Sequence, residues 1–326
     1  MQRRMPFSSA IAVAGIAAAA GYAAAQADRV ELKLDGETTS QSSNLPAGAD
    51  RPLNTLLEGR ASFAFDADLD GTAGSVSVDR YASALTLIIR VGERARLIVR
   101  PEYEYSNYDF DDVENIAPTP GSGPTDDPFD DGEIFGFTGR FIQPLDGGWT
   151  VIVGGGARWG YEDGADLDNA AVGNGFGGVD YKVSDKFKLG VFGFVSSQLE
   201  DEPLFFVAPS FDWRINDKLR FRSQGPGLEL SWRPRDEFDA IFELRWENRE
   251  FRLRDDGPIP EGVMQDQRLA VGVTGKWRPH PFIELQGSVG GYLWGEIEFL
   301  DRDGIELTDA QLNPHLYLGA GVTLRF

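Results

Sequence analysis

The chain has 326 residues, with 52 Asp and Glu against 31 Lys and Arg, 39 Gly and no Cys. The absence of Cys and the presence of only two His exclude a disulfide framework, a Cys-based zinc site and a cysteine nucleophile. A formal net charge of −21 would repel a phosphate backbone, which excludes nucleic acid as a partner. The composition fits an all-β chain that is rich in Gly and aromatic residues.

Residues 1–27 have the pattern of a secretory signal peptide. Arg3 and Arg4 form a basic start, a small-residue apolar stretch follows, and Ala25-Gln26-Ala27 fits the A-x-A cleavage pattern. The apolar stretch is too short to span ~30 Å of hydrocarbon. We therefore expect export and cleavage. No later stretch approaches the ~18 consecutive apolar residues of a transmembrane helix.

Residues 28–55 are polar and contain two prolines, Pro46 and Pro52. Such a composition offers little apolar surface to bury, so the sequence predicts a polar periplasmic lead-in. The brief alternation from Val30 to Leu34 leaves a short strand or a plug segment as the alternative.

From residue 56 to the end, the sequence alternates between apolar and polar residues with a period of two. In the last strand the apolar face carries Leu318, Val322, Leu324 and Phe326, and its other face carries His315, Thr323 and Arg325. Successive side chains of a strand point to opposite faces, so each strand has one apolar face and one polar face. This alternation is typical of a barrel that faces lipid outside and a polar lumen inside.

The connections between strands alternate strictly between short turns and longer polar loops, as they do at the two rims of such a barrel. The turns lie around residues 92–93, 146–148, 184–186, 216–218, 235–237 and 279–281, and the loops at 69–80, 109–132, 162–170, 199–203, 223–226, 252–264 and 300–310. These connections predict about fourteen strands. The predicted fold is an all-β, transmembrane, antiparallel up-and-down β-barrel over residues 56–326.

Four tryptophans lie within three residues of a short turn: Trp149, Trp213, Trp232 and Trp277. Trp is enriched where a membrane meets water, whereas a soluble sandwich would place Trp in its core. Their position therefore favours a membrane barrel over a soluble one.

The terminal strand resembles the assembly signal of Gram-negative outer-membrane β-barrel proteins. Phe326 ends the chain, and Leu324 and Val322 precede it at every second position. The layout as a whole is similar to uncharacterised porin-like barrel families of such bacteria. The resemblance implies an outer-membrane location after export, contact with outer-membrane lipids and lipopolysaccharide, and recognition by the barrel assembly machinery. It implies no solute.

The presumed lumen face collects eleven basic side chains against six acidic ones. The basic residues are Arg96, Arg100, Arg158, Arg220, Arg222, Arg233, Arg245, Arg249, Arg268, Lys276 and Arg325, and the acidic residues are Glu102, Glu104, Glu229, Glu243, Glu247 and Glu284. Because desolvating charges is costly, these groups must pair or remain in water. The predicted pore lining is Arg96, Arg100, Arg220, Arg222, Arg233, Arg245, Glu229 and Glu243.

Two functions fit such a lumen. If water fills it, the chain is a passive porin-like channel for small solutes, and the basic excess favours anions. If Arg and Glu ladders close it, the chain is a sealed structural barrel that acts through acidic surface loops, which would bind cations, lipopolysaccharide or another ligand.

Asp66, Asp68 and Asp70, followed by Gly71, reproduce the first half of an EF-hand loop. The twelfth position is Ser77 in place of the bidentate Glu, which excludes a complete EF-hand. A weak loop-type Ca²⁺ site at 66–71 remains an alternative to a solvated acidic loop, and we expect no cofactor otherwise.

Residues 109–133 hold nine Asp and Glu without Lys or Arg. Carboxylates that repel one another bind divalent cations weakly unless the backbone brings them together, so we expect a solvated external loop. Cation bridging to lipopolysaccharide phosphates is the alternative.

We do not expect an enzyme. His280 lies between two prolines, and His315 follows Pro314 without a Ser or Asn pattern beside it. Asp309 could reach His315, but a catalytic triad also needs a nucleophile.

Overall fold

The computed structural model describes residues 53–70, 74–111, 113, 128–224 and 227–326. The predicted signal peptide and residues 28–52 of the predicted lead-in lie outside these residues. So do Asp112, Glu114, Asp126 and Asp127 of the acidic loop. Among the described residues, no helix is long and apolar enough to cross a membrane.

Fifteen strand segments make up the described chain. They are β1 (Leu53–Asp68), β2 (Ser75–Val91), β3 (Ala95–Asp111), β4 (Asp131–Pro144), β5 (Trp149–Tyr161), β6 (Ala171–Ser184), β7 (Phe187–Ser196), β8 (Leu204–Arg214), β9 (Leu219–Gln224), β10 (Gly227–Arg235), β11 (Phe238–Arg252), β12 (Val263–His280), β13 (Ile283–Leu300), β14 (Glu306–Leu312) and β15 (His315–Arg325). Two short 3-10 turns lie at Asp146–Gly148 and Leu167–Asn169.

The strands form a closed antiparallel barrel with fourteen positions, which confirms the predicted fold class. Each strand from β1 to β13 pairs with the next, and β15 pairs with both β13 and β1 to close the ring. The segments β14 and β15 share one position, because β13 pairs with both of them. Asn313 and Pro314 separate them, and Pro has no N–H to offer a ladder.

Several predicted boundaries were wrong. Leu53, assigned to the lead-in, already pairs with Ile89 of β2, so β1 starts three residues before the predicted barrel. The predicted loops at 69–80 and 300–310 are shorter, because Ser75 begins β2 and Glu306 begins β14. The predicted loop at 223–226 is shorter, because β9 extends to Gln224, which pairs with Gly227, the first residue of β10.

The outer surface of the barrel is apolar. Val153, Val191, Phe242 and Val289 lie on outward faces and are each 45% exposed or more. An isolated apolar surface of this extent is stable in hydrocarbon and not in water. The barrel is therefore a transmembrane one.

Two aromatic rims bound this apolar surface. Trp149, Trp213, Trp232 and Trp277 lie at the rim with the short turns, and each is about half exposed. At the other end of the β5 outward face, Trp159 contacts Phe135 with ring centroids 6.0 Å apart. The strand between Trp149 and Trp159 is about 33 Å long at ~3.3 Å per residue. A tilt of ~40° reduces this to about 25 Å, the height of a bilayer core around a barrel.

The rim with the longer loops contains an apolar core inside the barrel. Its buried residues come from β1 to β4 and β11 to β15, and they include Val76, Val78, Phe110, Phe251 and Phe299. Here apolar side chains point inward, whereas the rest of the lumen is mostly polar. The interior is therefore packed over this part of the barrel.

The barrel wall has a seam at this same level. The β9 and β10 hairpin is short, and its last pairing with β11 is Leu228 with Leu244. Beyond that point β11 continues to Arg252, which forms a parallel bridge to Tyr161 of β5. The sheet thus closes β11 directly onto β5, and β6 to β8 are left outside that inner ring.

Candidate functional site in the barrel lumen

The structure brings together the charged residues that the sequence assigned to the lumen. They lie on inward faces and form ion pairs, several of which connect strands that are not neighbours. Ten of the eleven predicted basic residues have an acidic partner: Arg100, Arg158, Arg220, Arg222, Arg233, Arg245, Arg249, Arg268, Lys276 and Arg325. Arg96 stands opposite Arg90 at the rim with the short turns.

The wall formed by β8, β9 and β10 carries two ion pairs between neighbouring strands, one diagonal and one directly opposite in register. Arg220 binds Asp212 at 2.5 Å, and about a quarter of each side chain is exposed to solvent. Arg222 binds Glu229 at 2.9 Å, and both its nitrogen donors reach the carboxylate in a fork. Bidentate pairs of this kind fix the orientation of both groups.

Pairs on β11 continue this row across the lumen. Arg245 donates to Glu243 at 2.7 Å and to Glu247 at 2.6 Å. Arg249 donates to Glu247 at 2.7 Å and, across the lumen, to Glu104 of β3 at 2.5 Å. These links tie β11 to the opposite wall.

A fully buried cluster of polar side chains adjoins the apolar core. Asp266 accepts from Arg80 at 2.5 Å, from Arg268 at 2.6 Å and from the Tyr108 hydroxyl at 2.7 Å. Neither Asp266 nor Arg268 is exposed to solvent at all. His315 contacts Arg268 at 3.1 Å and its own Asn313 carbonyl at 2.9 Å. The lumen is therefore filled here, and these groups are structural.

The lumen at the rim with the short turns has its own group of charges. Glu284 accepts from Arg278 at 2.8 Å and from Arg325 at 2.6 Å, and Lys276 lies 3.6 Å away. Asp239 binds Arg233 at 2.6 Å and also binds Arg278. About a third of the Arg233 and Arg325 side chains is exposed, so water reaches this end of the lumen.

Sequence reasoning missed four inward carboxylates, namely Glu58, Asp212, Asp239 and Asp266. It also missed the inward basic residues Arg80 and Arg278. Asp239, Asp266 and Arg278 share their strands with residues already assigned to the lumen, so strict alternation would have identified them, whereas Glu58, Arg80 and Asp212 lie on strands where no inward residue had been assigned. Adding these groups to the eleven basic and six acidic residues gives thirteen basic against ten acidic side chains, so the predicted basic excess is not removed by them and stays a prediction.

Apolar side chains line the opposite inner wall. Ile88, Ile98 and Ile142 form a buried cluster on β2 to β4, and Ile152 of β5 packs against it. The same Ile152 packs against a second cluster, formed by Phe176, Phe194 and Phe206 on β6 to β8. The lumen therefore contains apolar clusters on β2 to β8 beside its ion pairs.

The predicted Ca²⁺ residues lie at the end of β1. Asp66 and Asp68 are exposed strand residues, and Asp70 lies in the turn that follows. Gly71 lies outside the described residues. Within the ranges that the structure describes, no three Asp, Glu or His side chains come close enough to hold a metal ion.

The predicted acidic loop at 109–133 is shorter than expected. Asp109 and Asp111 belong to β3, and Asp131 and Glu133 belong to β4. Tyr105 donates to Asp131 at 3.2 Å, and Tyr161 donates to Glu133 at 3.1 Å. These carboxylates are thus held on the strand extensions by tyrosine hydroxyls.

A row of carboxylates lies on the outward face of β13 and β14. It lies beyond the stacked rings of Trp246 and Trp294, which belong to the aromatic rim on the side of the longer loops. Glu298 stands opposite Asp309, with Glu296 and Glu306 close by. Partial burial and the charges of Glu306 and Glu296 raise the pKa of Glu298 to about 7. This row lies outside the membrane-spanning part of the strands.

No family model matches the chain, and no curated protein matches it either. Solved structures of barrel proteins do. A crystal structure of an outer membrane channel from Pseudomonas putida F1 covers 88% of this chain and 100% of its own, with 10% identity and a TM-score of 0.45. The match to the toluene transporter TodX of P. putida covers 85% of this chain and 90% of the transporter chain, with 9% identity and a TM-score of 0.40. The match to the KdgM porin covers 83% of this chain and 99% of the porin chain, with 8% identity and a TM-score of 0.33. The fold assignment rests on the strand pairing of this chain itself.

Proposed function

We propose that this chain is an outer-membrane channel for small solutes, with its conduit along the wall formed by β8, β9 and β10. The observation that carries the proposal is the exposure of the Asp212 and Arg220 pair inside the barrel, at 27% and 28% of their side chains. Charges that contact water on an inward face line a water-filled space. Rings of such charges set the selectivity of pores.

The other side of the lumen carries no conduit in this proposal. Arg80, Asp266 and Arg268 are at most 3% exposed, and the apolar core lies beside them. Packing of this kind leaves no path for hydrated ions. Any current must therefore follow the charged wall.

At the rim with the longer loops, Arg252 connects three loop segments. Its guanidinium donates to Glu200 at 2.6 Å, to the Asn169 carbonyl at 2.9 Å and to the Glu261 carbonyl at 2.7 Å. One side chain thus ties three loops together at this rim. In this proposal a solute that enters from this side requires those contacts to open, which would gate the channel.

The location is part of the proposal. Support comes from the apolar outer surface with two aromatic rims and from the alternating terminal strand that ends in Phe326. We further propose that outer-membrane lipids and lipopolysaccharide surround the barrel and that the barrel assembly machinery recognises its last strand. Neither enzymatic activity nor a cofactor enters this function.

Ion selectivity in planar bilayers tests the conduit. Asp212→Asn should shift the reversal potential toward anion preference, and Arg220→Gln should shift it toward cation preference. These two changes neutralise opposite members of one ion pair, so a general disturbance of the wall cannot produce opposite shifts. Asp146→Asn, at a turn carboxylate that is 93% exposed, is the control and should leave the reversal potential unchanged.

The alternative function is a sealed structural barrel that acts through its acidic loops. The extensive ion pairing of the lumen and the loop contacts of Arg252 favour it. Arg252→Ala separates the two functions, because a gated channel should then conduct more often. Silence of both the wild-type and the Arg252→Ala protein would support the sealed barrel.

A further inference from the structure

Polar side chains on the outward face of β11 and β12 are buried next to the seam. Asn248 is 8% exposed, and Glu250 and Gln265 are each 2% exposed. In a simple barrel this face would meet lipid or water. Here it is covered, because Val172 of β6 and Leu199 of the loop between β7 and β8 pack on Val263 and Leu300.

An ion pair lies at the centre of this covered surface. Arg158, on the inward face of β5, binds Glu250 of β11 at 2.9 Å. Glu250 also accepts from the backbone N–H of Leu199 at 2.9 Å and from the Asn248 amide at 3.1 Å. The acid and the base neutralise each other, so the surface between the two layers has no net charge to offer a ligand.

Three carboxamides beside this ion pair each leave one buried atom without a partner. These atoms are Asn248 Oδ1, Gln265 Nε2 and Asn174 Oδ1. Gln265 stands opposite Glu250 in register, and Asn174 is the next inward residue of β6 after Val172, which pairs with Arg158. Leaving buried polar atoms unpaired is costly. Two acceptors and one donor without partners therefore lie on strand positions that surround the Arg158 and Glu250 ion pair.

An apolar surface begins one inward position nearer the short turns. Phe176 of β6 follows Asn174, and Phe194 and Phe206 continue the same row on β7 and β8. All three are at most 5% exposed, and the rings of Phe194 and Phe206 are 5.4 Å apart. Gly154 leaves room for Phe176, since a Cβ there would lie 2.4 Å from the ring. The polar centre thus adjoins an aromatic band.

The wall beside this band is incomplete. β8 pairs with β9 only from Asp212 to Arg214, so its earlier residues extend past the hairpin with β7 as their single ladder partner. On this part of β8, Phe205 and Val207 face outward and are 68% and 60% exposed. An open strand edge is tolerated at membrane depth only where it lines a protein or water-filled space. This edge therefore borders a protein-lined or water-filled space beside the aromatic band.

We propose that this place binds a small uncharged molecule with an aromatic body and one hydroxyl group, which enters past the free edge of β8. A hydroxyl both donates and accepts, so it satisfies an Asn oxygen and Gln265 Nε2 together. The aromatic body packs on Phe176, Phe194 and Phe206. The inference names a substrate class for the proposed channel and in that sense rests on the proposed function.

Isothermal titration of the refolded full-length barrel with 4-ethylphenol tests this site. Binding of one molecule per barrel is expected, and ethylbenzene, which has the same shape without the hydroxyl, should bind at least about tenfold more weakly. Gln265→Leu and Asn248→Leu should each weaken 4-ethylphenol binding by about tenfold. Each variant removes an unpaired polar atom together with one hydrogen bond, from Asn248 to Glu250 or from Gln267 to Gln265, so heat-modifiable gel mobility is measured first to show that both variants fold.

Gln286→Leu is the matched control, because Gln286 lies on β13 near the short turns and should bind 4-ethylphenol like the wild type. Equal affinity for ethylbenzene and 4-ethylphenol would overturn the site, as would undiminished binding by Gln265→Leu or no binding at all. Selectivity shifts in Asp212→Asn and Arg220→Gln without phenol binding would retain the channel and remove this site. Phenol binding to a barrel that never conducts would retain the site and remove the channel.

Discussion

Arg249 of β11 and Glu104 of β3 form an ion pair across the lumen, with Nε 2.5 Å from Oε1. The two residues are far apart in both sequence and sheet order, so the pair braces opposite walls. Arg249→Met leaves a partly buried carboxylate without its partner and should lower the free energy of unfolding by about 1.5–3 kcal/mol. Urea unfolding followed by tryptophan fluorescence measures this change.

The double variant Arg249→Met with Glu104→Gln is the control for this brace. Removing both charges leaves no unpaired group, so the double variant should be more stable than Arg249→Met alone. Additive destabilisation would show that the two side chains do not act as a pair.

The apolar outer surface makes a second prediction, about depth in the membrane. Val191 lies in the middle of the outward face of β7 and is 45% exposed, whereas Val183 lies at the end of β6 beside a short turn. Val191→Arg should lower the free energy of unfolding by ~2–4 kcal/mol, and Val183→Arg by ~0–1 kcal/mol. Unfolding in lipid vesicles measures both. A larger loss of unfolding free energy for Val183→Arg than for Val191→Arg would mean that the membrane-embedded surface is displaced toward the rim with the short turns.

Much of the fold could be predicted because one pattern is repeated along the chain. Apolar residues alternate with polar ones in β3, β11 and β15, and the alternation follows directly from the pleat of a strand. The inward faces of Arg100, Arg245 and Arg325 follow from it without any knowledge of pairing. The number of strand positions follows from the turns for the same reason.

The lumen contents could be predicted less well, because they depend on contacts between distant strands. Near the longer loops Val76 and Val78 point inward and Glu250 points outward, so the sense of the alternation inverts there. A polar-inside rule therefore took the start of β2 for a loop. The seam also could not be predicted, because it depends on how far β8 and β11 extend beyond the end of the β9 and β10 hairpin. That length difference is set by strand register in three dimensions.

The end of the chain makes a third prediction, about assembly. The N–H of Phe326 donates to the Thr55 carbonyl at 2.9 Å, and the N–H of Thr55 donates back at 3.3 Å. These bonds close the last strand on the first, and the Phe326 ring is 60% exposed on the outer surface. Deleting Phe326 should strongly reduce the amount of heat-modifiable protein in the outer-membrane fraction. Phe282→Asp changes an exposed Phe at the same rim and should reduce it much less; equal losses would argue against a terminal signal.

Glu298 gives a fourth prediction, about pH. Its pKa in the folded barrel is raised to about 7 by partial burial and by Glu306 and Glu296, so the folded state holds this proton where the unfolded chain releases it. The resulting stabilisation is complete below pH ~4.5 and is lost as the pH rises through about 7. The β13 and β14 hairpin should therefore be less protected from hydrogen exchange at pH 8 than at pH 5, after correction for the intrinsic exchange rate.

Glu298→Gln removes the ionisable group and keeps the shape of the side chain. The variant should show a smaller difference in protection between pH 5 and pH 8 than the wild type, and at pH 8 its hairpin should be the better protected of the two. Asp303→Asn, in the exposed loop between β13 and β14, is the matched control and should keep the wild-type pH dependence. If Glu298→Gln kept it as well, another carboxylate of this row would be the group that titrates.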